Sequence, residues 1–363
     1  MTVPASMEAA GQPDLLSIRR AVDAVLEEFL SVKARAASGG GWPGEVTDVL
    51  HQFLFVGGKR LRPLLCVCGW HAAGGHGAPG PVVRTAAALE LFHAFCLIHD
   101  DVMDGSATRR GHPTVHRALA ARHQDGRTRA TAERLGAGAA ILAGDLALVW
   151  SDELLHTAGL TPAQLAAVLP VIDTMRTEVM YGQYLDLLAA GRLATDVEVA
   201  LRVIRYKTAR YTCERPLLLG AALNAAPPPV SRALSAWALP LGEAFQLRDD
   251  LLGVYGDPQV TGKPVLDDFR EGKHTVLLAL AVRRATGTQR ALLEGLVGDP
   301  GLDGEGAARI REVLEATGAR TEVEGMIAAR YEQALTALEA APFPPATVLA
   351  LRHVAALATE RTS

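Results

Sequence analysis

Two aspartate-rich stretches, Asp100-Asp101-Val102-Met103-Asp104 and Asp249-Asp250-Leu251-Leu252-Gly253, each interrupt an apolar run of helical character. Isolated charges in such surroundings are costly, so they pair with cations or bind metal. Asp100 and Asp104 are four residues apart, which places both on one face of a helix. Several carboxylates with no cysteine or histidine in the set suit a hard, oxygen-seeking cation such as Mg²⁺. The second stretch is not a copy of the first, because Gly253 stands where an acid matching Asp104 would stand. A chain with these two features needs long helices whose apolar bodies are buried and whose acid ends reach a ligand.

The remaining pattern agrees with helices. The run Ala86–Ile98 is rich in Ala and Leu and free of Gly and Pro, which favours helix. Similar runs cover Ser17–Ala34, Gly138–His156, Pro162–Leu188, Val197–Ala222, Ser231–Val254 and Thr275–Ala285, and two-residue alternation is scarce. Gly/Pro clusters at 39–41, 74–81, 225–229, 256–264 and 298–306 separate them. A charged stretch, Arg122 to Arg134, reads as an exposed loop. The fold class expected is all-α, one domain of ten or more helices over residues 14–363, with a mobile segment at 1–13. With 49% hydrophobic residues in 363, the chain can bury a large core. A net charge of −4, from 36 basic and 40 acidic residues, gives no nucleic-acid footprint. The uncharged stretch Pro63–Val83 is too broken by Gly and Pro to cross a bilayer as one helix. No basic-then-apolar leader opens the chain. The expectation is a cytoplasmic protein without a membrane span, its four cysteines small buried thiols.

Bases accompany the acids. Gly57-Gly58-Lys59-Arg60-Leu61-Arg62-Pro63 lies upstream of the first set, and Thr108-Arg109-Arg110-Gly111 follows it, read as an arginine pair at a helix end. Lys207-Thr208, Lys263 and Lys273 come later. Arginine forks match phosphate oxygens and lysine supplies a compact charge. Acids and bases together fit a diphosphate bridged by Mg²⁺ to carboxylates and clamped by cations.

With Leu89-Glu90-Leu91-Phe92-His93, Phe245-Gln246-Leu247-Arg248-Asp249-Asp250, Gly256-Asp257-Pro258 and Thr261-Gly262-Lys263-Pro264, then Asp267-Asp268 and Glu271-Gly272-Lys273, these motifs in this order resemble the polyprenyl synthetase family, the trans-isoprenyl diphosphate synthases. The resemblance implies a helical isoprenoid-synthase bundle with the two acid clusters facing each other across a deep central cavity. It implies a homodimer and two or three Mg²⁺ ions, held by Asp100, Asp104 and Asp249 with Asp101 and Asp250 in support. Arg109, Lys207, Thr208, Gln246, Lys263 and Lys273 would bind the allylic diphosphate. Lys59, Arg62, His93 and Arg110 would bind isopentenyl diphosphate. The implied reaction is ionisation, condensation and elimination, and the bacterial geranylgeranyl diphosphate synthases are the most similar branch.

In this family the product runs along the helix before the first acid set. Phe95, five residues before Asp100, lies about 7.5 Å along that helix at about 1.5 Å per residue. Phe92 is one turn deeper and Cys96 is a small neighbour, so these three set the floor, and a C20 product is expected. A C15 or longer product is the alternative within the family, and Phe92 and Phe95 as ordinary core is the alternative role. A class I terpene cyclase and a non-catalytic synthase subunit are the alternatives outside it; Asp249-Asp250 standing where a cyclase has an Asn/Ser/Glu motif, with Lys59, Arg62 and Arg110, argues against the first, and the retained first-set acids and lysines argue against the second. Asp145 reads as a buried structural acid, and His99 either orients a carboxylate or packs.

Overall fold

The computed structural model describes residues 13–256 and 266–359. The expected mobile segment thus falls almost wholly outside the described residues, as does Lys263 with the other residues of 257–265. The described part is all-α but for one minute hairpin. Its contacts cluster into two compact units, Met1–Ala167 with Gly220–Ala225, and Val168–Leu219 with Ala226–Ser363.

The first unit holds α1 (Leu15–Gly39), α2 (Glu45–Phe55), α3 (Leu61–Ala72), α4 (Gly80–Met103), α5 (Val115–Arg122) and α6 (Arg129–His156). Asp14 caps α1 by accepting from the backbone N–H groups of Leu16 and Ser17, satisfying donors a helix start leaves open. α4 is the central helix, packed by α1, α3 and α6. It is buried almost all round, so it reads as continuously apolar rather than amphipathic. α6 begins at Arg129 with Thr128 as its cap. The charged stretch expected as a loop is therefore loop only to residue 128; Arg129, Glu133 and Arg134 decorate the first helical turns, where Arg129 pairs with Glu133 one turn on.

Both α4 and α6 are long and apolar enough to cross a membrane by length and composition, but the apolar window of α4 is 72% buried within the protein. Asp145 lies on the open side of α6 and is exposed, correcting the expectation of a buried acid: it shares that face with the exposed Ile141, Leu142 and Val149.

The second unit is built on α10 (Pro228–Tyr255), which packs against the helix Ala319–Glu339 and against an unusual neighbour. The run expected as one helix from Val197 to Ala222 is three pieces: α8 (Val197–Val203), a π-helix (Ile204–Glu214) and α9 (Arg215–Leu223). π-Helical turns are rare and gather at functional sites. Two glycines let neighbours approach this one. A Cβ on Gly182 of α7 (Pro162–Ala189) would stand 2.6 Å from the backbone N of Lys207, and one on Gly242 of α10 would stand 2.5 Å from Cα of Ala209. Carboxylates pin its ends. Glu243 of α10 accepts from Arg205 and Arg330, and Glu178 of α7 accepts from Arg210 and Arg215. The four cysteines are free thiols, three of them buried.

Candidate functional site

In the first unit, α4 carries its acids at its C-terminal end. Asp100 and Asp104 are half-buried, with Asp104 at the C-cap, its N–H bonded to the Asp100 carbonyl at 2.8 Å. Asp101 differs. Its side chain is only 1% exposed, and Arg109 Nε donates to both of its oxygens at 2.8 and 2.9 Å, with Nη2 2.7 Å from Oδ1. Arg109 Nη2 also reaches Asp100 at 3.4 Å. Burial alone would depress the guanidinium, but the hydrogen bonds and charge of Asp101, then the charges of Asp100 and Asp104, outweigh it and hold Arg109 above its ordinary value. The set thus divides into two half-buried acids, Asp100 and Asp104, and one buried, braced acid, Asp101.

The brace depends on a turn. Thr108–Arg109 and His112–Pro113 form a two-stranded hairpin with Arg110-Gly111 as its loop, at φ +53 and +77, a two-residue loop whose positive φ values favour a glycine. The arginine pair is therefore not at a helix end: α4 stops at Met103, and the hairpin aims Arg109 at Asp101 while Arg110 donates to the Val56 carbonyl at 3.1 Å. Arg110 lies over Gly58, where a Cβ would be 3.2 Å from its Nη1, and Gly58 itself has φ +101.

Arg60, Arg62, Arg109 and Arg110 surround His93 on α4. Burial first, then the charges of Arg62, Arg110, Arg109 and Arg60, drive His93 well below the ordinary imidazole range, so its ring is neutral. Arg60, at φ +52, is buried and bonded to Glu90 at 2.9 Å, Asp23 at 2.7 Å and the Leu54 carbonyl. Lys59 and Arg62, on either side of it, are exposed and half-buried. Arg60 is the structural member of its motif, anchoring the loop that presents the other two.

His99 packs on Gly144, with Nε2 3.0 Å from the Ile141 carbonyl, and edges against Phe95 at 4.7 Å between ring centroids. The ladder Phe92–Phe95–His99 thus runs along α4 toward the acids, with Phe92 1% and Phe95 9% exposed and Cys96 half-buried beside them.

In the second unit the π-helix presents Lys207 and Thr208. Lys207 Nζ is 2.7 Å from Asp186 Oδ2 of α7. Thr208 Oγ1 donates to Gln246 Oε1 at 2.7 Å, and Gln246 Nε2 donates to Asp250 Oδ1 at 2.8 Å. This relay fixes the Gln246 amide with its oxygen toward Thr208. Asp249 is half-buried one residue before Asp250. Asp250 is pushed up to about 7, first by burial and then, against the Gln246 bond and Lys273, by the charges of Asp268 and Asp249. Lys273 Nζ lies 2.9 Å from Glu271 and 3.5 Å from Asp268. Asp186 escaped the sequence reading, and Asp268 and Glu271 entered it only as members of a motif, with no role assigned. Asp186 had a signal, an acid within an apolar helical run; Asp268 and Glu271 had none beyond their place in a motif.

The acid donors are all carboxylate oxygens, the set a hard divalent cation takes; burial raises Asp250 most, and the added repulsion from Asp268 and Asp249 is what such a cation would relieve. Among the described residues no group of three or more His, Cys, Asp or Glu side chains is placed to hold a metal ion by itself. Mg²⁺ is commonly held in that open way, by one or two carboxylates plus substrate phosphates.

These features define a class: an all-α protein in which carboxylate and cation side chains are set together near helix ends. Residues 43–316 match the family model described as polyprenyl synthetase. A geranylfarnesyl diphosphate synthase of Aeropyrum pernix is 33% identical over 267 residues, 73% of this chain and 76% of that one. A geranylgeranyl diphosphate synthase of Saccharolobus solfataricus is 34% identical over 261 residues, 71% of this chain and 73% of that one. A crystal structure of geranylgeranyl pyrophosphate synthase from Corynebacterium glutamicum, complexed with isoprenyl diphosphate and magnesium, superposes with a TM-score of 0.91 at 42% identity, covering 96% of this chain and 99% of that one. The chain belongs to the polyprenyl synthetase family, and it is a prenyl diphosphate synthase, a transferase of a metal-dependent family.

Proposed function

We propose that this enzyme condenses isopentenyl diphosphate with dimethylallyl, geranyl or farnesyl diphosphate and releases geranylgeranyl diphosphate, C20. The observation that carries the product length is the Phe92–Phe95 ladder on α4 below Asp100, one aromatic at floor depth with small Cys96 beside it. The names of the Saccharolobus and Corynebacterium relatives, both geranylgeranyl diphosphate synthases, support the same length.

Asp100, Asp104 and Asp249 would hold Mg²⁺, two or three ions, with Asp250 in support. When bound, the metal supplies charge neutralisation for the departing diphosphate. Lys207, Lys273, Lys263 and Arg109 bind the allylic diphosphate, and Arg109 also fixes Asp101, keeping the end of α4 rigid. Lys59, Arg62 and Arg110 take the second diphosphate, with neutral His93 offering a hydrogen bond without adding charge to an already cationic group. The Thr208 hydroxyl and the Gln246 amide, locked by their mutual bond and by Asp250, turn their dipoles toward the developing allylic cation. The isopentenyl double bond attacks that cation, and the released diphosphate accepts the proton lost on elimination, so no protein base is required. The exposed Ile141, Leu142 and Val149 on α6 support a homodimer, and the reading is of a cytoplasmic enzyme.

The test uses purified protein, Mg²⁺, labelled isopentenyl diphosphate and each allylic primer in separate reactions, with products resolved after dephosphorylation. C20 alcohol from all three primers is expected. A stop at C15 moves the assignment to farnesyl synthesis, and a cyclic hydrocarbon from a single prenyl diphosphate moves it to a cyclase.

A further inference from the structure

Gly253 lies in the last turn of α10, within the helix and three residues before its C-cap Gly256. Its position is four residues after Asp249, so the two share a helix face one turn apart. The space beside it is taken. A Cβ on Gly253 would stand 2.1 Å from Oδ2 and 3.1 Å from Cγ of Asp268, far inside contact distance. The Asp268 carboxylate therefore lies against the bare backbone of α10, in the volume that a side chain at 253 would fill.

Asp268 is held there from two sides. The next residue, Phe269, is 1% exposed in a core that includes Leu247, Leu251 and Val254 of α10. The Asp268 carbonyl accepts from Lys273 N–H at 3.1 Å, and Oδ1 lies 3.5 Å from Lys273 Nζ. The two carboxylate oxygens are thus divided: Oδ1 faces Lys273 and Oδ2 faces α10.

We infer that Asp268 supplies the third carboxylate of the second acid set, and that Gly253 is the vacancy that admits it. The second set is then Asp249, Asp250 and Asp268, with its third member contributed from outside α10. This rests on the metal-dependent reading above, and it makes Gly253 a requirement instead of a lost ligand. An acid introduced at 253 gains nothing while Asp268 is present, because both claim one volume.

The experiment is Mn²⁺ binding to the full chain in the presence of inorganic diphosphate, followed by electron paramagnetic resonance of free Mn²⁺. It reads metal and not product, so it is separate from the elongation test. Asp268→Asn, which keeps the shape, is expected to weaken Mn²⁺ at least about tenfold, the scale on which supporting groups act at metal sites. Gly253→Asp alone is expected to weaken it as well. The double variant Gly253→Asp with Asp268→Ala restores three acids and is expected to bind within about threefold of the wild type, on the same scale. Wild-type affinity in Asp268→Asn, tighter binding in Gly253→Asp, or a double variant as weak as Asp268→Asn overturns the inference.

Discussion

Breaking the Asp101–Arg109 brace gives the sharpest energetic test of how the first acid set is divided. Asp101 is 1% exposed and Arg109 17%, and three N–O contacts between them span 2.7 to 2.9 Å. Arg109→Met leaves a buried carboxylate without its cation, and Asp101→Leu leaves a buried guanidinium without its main anion. Removing one partner of a buried pair costs about 3–5 kcal/mol, whereas replacing both with apolar groups of similar volume is often neutral or better. The singles should therefore each lose about 3–5 kcal/mol, the double much less than their sum, and the coupling should be about 3 kcal/mol or more. Partial exposure of Arg109 places the expectation at the lower end of that range. Urea unfolding followed by far-UV and near-UV circular dichroism measures all four corners of the cycle, the two probes checking that one transition is read. Additivity to within about 0.5 kcal/mol would mean that the two residues are not coupled, and the reading of Asp101 as the braced member of the set would fall.

Other expectations are independent of that cycle. Asp250 has its folded-state pKa raised from 3.8 to about 7, so its protonated form is favoured in the native state; the metal-free protein should lose stability as pH rises from about 4 to 7, and this slope should flatten in Asp250→Asn, measured by urea midpoints across that window. Because ionised Asp250 is what a cation stabilises, Mg²⁺ should raise the melting temperature more at pH 8 than at pH 6; an equal rise at both contradicts the reading. Phe95→Ala should shift the product beyond C20 in a radio-thin-layer assay, and an unchanged distribution assigns Phe95 to ordinary core. Leu142→Glu places a charge on the α6 surface at a residue 64% exposed; on the proposed homodimer, light scattering should give a dimer for the wild type and a monomer of unchanged helicity for the variant, and equal masses would contradict that proposal.

The acids were legible because a carboxylate inside an apolar helical run is an anomaly of burial that sequence alone displays. Their division of labour was not, since Asp101 is separated from Asp100 and Asp104 only by a hairpin that curls Arg109 back onto it. Arg110-Gly111 carried the one hint of that hairpin. The π-helix over Ile204–Glu214 has no compositional mark, because the same residues satisfy an α pattern and only the approach of Gly182 and Gly242 distinguishes the register. Arg60 and Arg62 look equivalent in sequence; burial against Glu90 and Asp23 makes one structural. Arg129–Arg134 misled because charges on the exposed start of a helix resemble a loop, with Thr128 the cap that settles it. Asp268 depends on a close tertiary approach to α10, which no local pattern records.

The central claim is that the acid pairs on α4 and α10 anchor the metal and diphosphate of chain elongation. It is tested most directly by the rate of labelled isopentenyl diphosphate incorporation, with saturating Mg²⁺, in the wild type, Asp100→Asn and Asp249→Asn, each verified as folded. Loss of at least about a hundredfold in kcat is predicted for each variant, the scale of removing one group that stabilises transition-state charge. Near-normal turnover in either variant would contradict it.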